Sequence, residues 1–387
     1  MRVRNPATVK VQSTTSLLLA GIALVGCDGP PEAAGQRSPA GDQRAGEVLA
    51  TGQMREARSA HTATLLSNGR VLVVGGMTGD ERSAAGAELY DPATGGFLPT
   101  AAMGIPRHSH TATALSDGTV LVAGGYDASG TYLRSVELYD PATGAFREIA
   151  PMTLARAGHE AVRLADGRVL LVGGIGTGWT FLASAEIFDP TSGSFAATGA
   201  MQHPRASHSA VLLTDGRVLV VGGHRGRRQE IELFASAEIF DPGTGAFSAT
   251  GRMSVRRHKH DGVLLADGRV LVTGGADERD SEGVYASAEV YDPTSGTFLR
   301  MGEMQFPRYK HEGTSVLLPD GRLLLAGGAN AVEVFAPAQG TFQAVAGVRD
   351  LPGQFSATAL LQDGRVLITG GYGGNPASRR GAWIYRP

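Results

Sequence analysis

Cysteine occurs once in these 387 residues, at Cys27, which excludes an intrachain disulfide and a multi-cysteine metal site. Charge is also scarce: Asp, Glu, Lys and Arg make up 19%, and 35 Lys and Arg against 37 Asp and Glu leave a formal charge of −2. That balance lacks the basic surplus of a nucleic-acid binder, so no nucleic-acid partner is expected. Apolar runs are short. The longest, Leu17 to Val25, is well below the ~20 residues that span a bilayer, which excludes a polytopic membrane protein. Glycine is abundant at 55 residues, and without a three-residue period it does not describe collagen. An all-β, glycine-rich soluble domain is the expectation that remains.

Arg2, Arg4 and Lys10, with no acid among them, precede the run LLLAGIALV, as in the core of a secretory signal. The residues that follow, Leu24 to Cys27, read LVGC and resemble a bacterial lipobox. The resemblance implies cleavage before Cys27 and lipidation of its sulfur and new amino group, whereas an ordinary signal peptide would leave the cysteine incidental. Such an anchor implies a cell-envelope location with the remaining chain outside the cytoplasm, attached to the membrane by lipid only. Asp28 leaves open which membrane. From Asp28 to Gly46 the chain is Gly, Pro and Ala among polar residues, the composition of a disordered tether. The expected organisation is therefore a signal peptide over 1–26, a tether over 27–46 and a folded domain over 47–387.

The folded part repeats itself. Double glycines end apolar runs at 75, 124, 173, 222, 274, 327 and 370, in steps of 49, 49, 49, 52, 53 and 43 residues. Around each stands one order of features, as in HTATLLSNGRVLVVGG, AELYDPATGGF and AAMGIPRHSH. Seven copies of about fifty residues resemble kelch repeats. The family's Tyr position is filled by Tyr90, Tyr139, Phe188, Phe240, Tyr291, Phe335 and Tyr385; its later aromatic, usually Trp, is Phe here, as at Phe97 and Phe146. The resemblance implies a seven-bladed β-propeller.

Local signals agree independently. Each copy holds four short β-branched or aliphatic segments; Asn68-Gly69 or Asp166-Gly167 predicts a tight hairpin between the first two, and DPATG or DPTSG a turn between the last two. A four-stranded meander cannot bury both faces alone, so the copies stack radially. The seventh copy stops on its third strand, at Ile384 to Pro387, and VLATGQM (48–54) matches the fourth-strand sequence FSATGRM (247–253). The propeller is therefore expected to be closed by an N-terminal strand, and to be monomeric.

Alternating strands place the two tight turns on one face and the strand 2–3 loops on the other. The turns are monotonous, whereas those loops differ in every copy, which makes their face the candidate site. Loops also diverge when nothing constrains them. Candidate binding residues are Trp179, Phe181, His224, Arg225, Arg227 and Arg228 in the third and fourth copies, Asp277, Asp280 and Tyr285 in the fifth, and Tyr372, Asn375, Arg379 and Arg380 in the seventh. The short loop Ala329 to Val332 predicts a notch beside them. Arg58, Arg107, Arg156, Arg205, Arg257 and Arg308, each three residues before a histidine, recur with Glu88, Glu137, Glu186, Glu238, Glu289 and Glu333. The seventh copy has Gly353, Ser356 and Trp383 instead, and this joint loss reads as a structural network rather than a metal ring. His108 with His110, and His258 with His260, read as solvated surface histidines, and Asp277 to Glu282 as an exposed acidic loop. No cofactor motif appears.

Three functions compete. The favoured expectation is a tethered, non-enzymatic module binding a protein or a glycan through the variable loops. The alternative is a cofactor-free sugar mutarotase or epimerase. A purely structural envelope protein is the third. The copper chemistry of galactose oxidase, an enzymatic kelch relative, needs a cysteine that lipid attachment would consume.

Overall fold

The computed structural model describes residues 45–387 except 81, 348–350, 352 and 374–377. Cys27, the signal segment and most of the tether lie outside the described residues, as does Asn375. Seven blade sheets follow in chain order, the first six antiparallel with their four strands hydrogen-bonded in sequence. Their inner strands are Thr62–Leu65, Thr111–Ala114, Glu160–Arg163, Ser209–Leu212, Asp261–Leu264, Ser315–Leu317 and Ala357–Leu360. The second strands, such as Val71–Val74, are buried throughout. Successive side chains point to opposite sheet faces. Val71 and Val73 accordingly pack with Leu367 and Ile384 of the seventh blade, while Leu72 and Val74 pack with Val120 and Val122 of the second. A blade between two neighbours has no wet face, so its central strand reads as an unbroken apolar run. Seven clusters of this kind occupy the seven seams.

The N-terminal segment closes the ring. Glu47–Ala50 pairs antiparallel with Ala382–Arg386, Val48 opposite Tyr385. Beyond it, the Thr51 N–H reaches the Ala382 carbonyl at 3.0 Å, the Gly52 N–H reaches the Gly95 carbonyl of the first blade at 2.9 Å, and Met54 is fully buried in the seam between blades seven and one. One feature differs from expectation: Ala346–Gly347 pairs in parallel with Glu47–Val48, giving this blade a short fifth strand.

Within each of the first six blades the paired aromatics face one another across strands three and four, with ring centroids 5.0 Å apart for Tyr90–Phe97 and 4.7 Å for Phe335–Phe342. The six arginines are buried and paired as the recurring glutamates suggest. Arg107 Nη2 donates to Glu137 Oε1 at 2.9 Å and Nη1 donates to the Gly124 and Ser135 carbonyls at 3.0 Å, while Glu137 accepts the Gly104 and Ile105 amides. Each guanidinium thus ties the connection between blades to the end of the second strand. The double glycines make room for this. Gly75 and Gly76 have φ of +66° and +96°, and a Cβ on Gly75 would lie 2.6 Å from both the Arg107 carbonyl and the His110 ring.

The six histidines fill the same seams, as where His110 Nε2 lies 3.3 Å from Thr62 Oγ1 and His159 Nε2 lies 3.1 Å from Thr111 Oγ1. Burial, reinforced by the nearby arginines, holds them neutral: His61, His208 and His311 are pushed down to about 3.

Two outcomes follow. A chain beginning at Glu56 loses the closing strand and Met54, which is expected to cost on the order of 5 kcal/mol. Urea unfolding of this chain against one beginning at Gly46 measures it, and equal midpoints would refute the closure. Acid is the second lever. Between about pH 3 and 6.5 the unfolded chain protonates histidines that the folded chain keeps neutral, so stability from these groups is lost as pH falls below 6.5. Glu160 and Glu312 act oppositely, holding protons in the fold that the unfolded chain releases, but they are fewer. Unfolding free energy measured from pH 7 to pH 5 should therefore decline; a rise would mean that the seam histidines are charged.

Candidate functional site

On the strand 2–3 loop face the propeller axis is encircled by backbone. The residue before each seam histidine, or before Ser356 in the seventh blade, adopts a left-handed conformation: Ala60, Ser109, Gly158, Ser207, Lys259, Lys310 and Phe355 have φ between 50° and 57°. Each N–H donates to the carbonyl of its counterpart in the preceding blade, from Ser109 to Ala60 at 3.1 Å round to Ala60 to Phe355 at 2.9 Å. Seven hydrogen bonds close a circle. Blades one to four contribute small side chains to this belt, and blades five to seven contribute Lys259, Lys310 and Phe355.

Inside the belt lies an axial cavity of about 430 Å³, lined by the inner strands. On the side of blades seven, one and two it presents the hydroxyls of Thr358, Thr62, Thr64, Thr111 and Thr113; Glu160 and Glu312 enter it from blades three and six. These carboxylates occupy the position after the seam histidine, where Thr62 and Thr111 stand in blades one and two. Asp261 holds that position in blade five but is committed elsewhere, accepting the amides of Gly262, Gly313, Thr314 and Ser315 at 2.7 to 3.1 Å. Desolvation, with repulsion between the acids, raises Glu160 well above its usual 4.5. Burial pushes Glu312 up to about 7, with Asp261 adding to the rise and Lys259 and Lys310 opposing it. Both acids therefore keep their protons to higher pH than an exposed glutamate does. Neither makes an ion pair among the described residues.

Above the belt the variable loops bring several expected residues together. Arg227 sits 3.4 Å over the Trp179 ring, and Trp179 meets Tyr132 edge-on at 6.2 Å. Tyr132 in turn packs on Tyr126 at 4.7 Å, and Tyr126 lines the cavity. This chain of rings runs from the rim to the axis. A second cluster joins Phe181 to His224 at 5.3 Å and His224 Nδ1 to His258 Nδ1 at 3.4 Å. Asp280 lies beside it and accepts Lys259 Nζ at 2.8 Å, which holds its carboxyl low despite burial. Tyr372 accepts Lys310 Nζ at 2.8 Å.

Other expected residues are committed locally. Arg225 pairs with Glu232 and Asp277 with Arg279, both at 2.6 Å; Arg380 Nε donates to the Met54 carbonyl at 2.9 Å; Tyr285 lies against Arg257. Arg228 and Arg379 are exposed at the rim. The histidine expectation needs correction. His258 is 1% exposed and His110 and His260 are buried, because the chain crosses between blades there and closes over them; His108 stacks on Tyr126 at 5.2 Å. The cavity is on the axis rather than in a notch beside blade six. Sequence reasoning missed Glu160, Glu312, Lys259, Lys310, Tyr126 and Tyr132. The detectable signal was the exchange of Thr for acid immediately after the repeated histidine.

The fold and these repeats define a kelch-repeat β-propeller. Residues 41–223 match the KLHDC2/KLHL20/DRC7 Kelch-repeats domain and residues 205–254 the Kelch motif. Two galactose oxidase sequences from Gibberella zeae are each 33% identical over 110 residues, covering 26% of this chain and 16% of the relative. The chain thus spans a small fraction of those relatives. A solved fungal alcohol oxidase in complex with copper shares the fold at a TM-score of 0.70 and 16% identity, covering 89% of this chain and 77% of that one.

These oxidase relatives correct the expectation of a non-enzymatic protein, which is not retained. Copper finds no matching donor set here: among the described residues no three His, Cys, Asp or Glu side chains gather as metal ligands. No step is therefore routed through a metal.

Proposed function

We propose that this propeller acts on a hydroxylated small molecule of the sugar class, exchanging its anomers by acid–base chemistry in the axial cavity. The observation that carries this reading is the placement of Glu160 and Glu312 in one hydroxyl-lined cavity, where burial raises both and pushes Glu312 up to about 7. A carboxyl near pH 7 is divided between acid and base and transfers protons efficiently in both directions. Glu312 as carboxylate takes the proton of the anomeric hydroxyl while Glu160, protonated, delivers one to the ring oxygen. The bond between the anomeric carbon and the ring oxygen breaks, and the open-chain aldehyde recloses on its other face with the protons returned. The threonine hydroxyls suit the remaining sugar hydroxyls.

Exchange of D-glucose and D-galactose anomers followed by polarimetry should run faster with the protein than in buffer. Glu312→Gln removes the titrating group without removing its volume and should slow the catalysed exchange by roughly 10²-fold or more. Exchange at the buffer rate with the wild type would end this reading.

Membrane attachment through Cys27 belongs to the same proposal, supported by the charged start, the short apolar run and LVGC. A fatty-acid probe fed to expressing bacteria should label the wild type and leave Cys27→Ser unlabelled; equal labelling would show that the cysteine is incidental.

A further inference from the structure

Several cations on the loop face are matched by carboxylates. Arg225 pairs with Glu232, Arg256 with Glu278, Arg279 with Asp277 and Lys259 with Asp280. Arg228, Arg379 and Arg380 make no ion pair among the described residues and lie exposed at the rim. Two further cations stand apart from both groups. Lys310 and Arg227 make no ion pair among the described residues, and each is seated on aromatic rings instead. Lys310 Nζ is 4.8 Å from the Tyr309 ring centre, 5.5 Å from that of Phe355 and 5.4 Å from that of Tyr372, and it donates to the Tyr372 hydroxyl at 2.8 Å. Arg227 lies over Trp179 at 3.4 Å. Ring faces attract a cation without neutralising it, so both charges remain available to an anion.

Their locations add to the argument. Lys310 belongs to the belt and lines the axial cavity, while the rings beneath Arg227 lead through Tyr132 to Tyr126 at the same mouth. The carboxyls inside the cavity offset this charge less than exposed glutamates would, because burial raises both and pushes Glu312 up to about 7. The entrance therefore combines hydroxyl and aromatic surface with positive charge that no ion pair among the described residues neutralises.

Resting on the sugar reading above, we infer that the ligand carries a carboxylate as well as hydroxyls, as a uronic acid does, and that Lys310 receives that carboxylate while Arg227 attracts it from the rim. Lys310 and Arg227 are thus specificity-determining residues, and neither takes part in proton transfer. A charge-assisted hydrogen bond to a carboxylate is roughly twice as strong as a neutral one, which favours the acid over the neutral sugar.

Calorimetric titration with D-glucuronate and with D-glucose tests this. The wild type should bind glucuronate about tenfold or more tightly than glucose, with the difference shrinking as NaCl is raised. Lys310→Met keeps the length and the apolar contacts with the rings, and should bring the two sugars to equal affinity; Arg227→Met should narrow the gap partially. Thermal melts establish that the variants are folded. Equal affinities in the wild type would overturn the inference and leave the sugar reading standing. Retained preference in both folded variants would overturn the assignment of these residues. Binding of neither sugar would overturn both readings.

Discussion

The buried arginine of each of the first six blades is the constraint on which this propeller depends. A guanidinium taken from water needs partners for its charge and its N–H groups, and at Arg107 one carboxylate and two carbonyls meet the two terminal nitrogens while Nε has none. The glutamate in turn receives two backbone amides of the incoming connection. This exchange of hydrogen bonds fixes where the chain leaves one blade and enters the next. The glycine pair must stay bare for the arginine's backbone and the histidine ring to approach. The histidine, held neutral in the seam, places the residue before it at the axis and the residue after it in the cavity.

Blade seven shows what happens without the device. It lacks Arg, His and Glu together, and is fixed by other means: the N-terminal strand bonded along Ala382–Arg386, Met54 buried in the adjoining seam, and the Arg58 amide bonded to the Arg379 carbonyl at 3.0 Å. The first and last described strands meet in the blade that lacks this device.

Blade number, the closing strand and the Arg–Glu pairs were legible because each depends on a residue type recurring at fixed spacing, or failing to recur. The site was less legible for the same reason. Belt and cavity positions recur structurally while their side chains differ, so Ala60, Ser109, Lys310 and Phe355 share no composition to mark them as equivalent. Trp179, Arg227 and His224 were recognisable as unusual loop residues, but only the ring contacts separate them from Arg225 and Asp277, which bind their own loops. The burial of His258 was not legible either, since an i, i+2 histidine pair on a strand describes a surface as readily as a seam.

The hydrogen-bonded belt makes the same demand of all seven of its residues: a left-handed backbone with a free N–H and carbonyl. It makes no demand on what lies beyond Cβ. Valine, isoleucine and threonine are penalised in that conformation, and none of the seven is β-branched. Within that limit the entrance can be rebuilt one residue at a time by ordinary point mutation while the ring beneath stays unchanged. A lineage carrying this scaffold can therefore change what lines its axial entrance without passing through an unfolded ancestor.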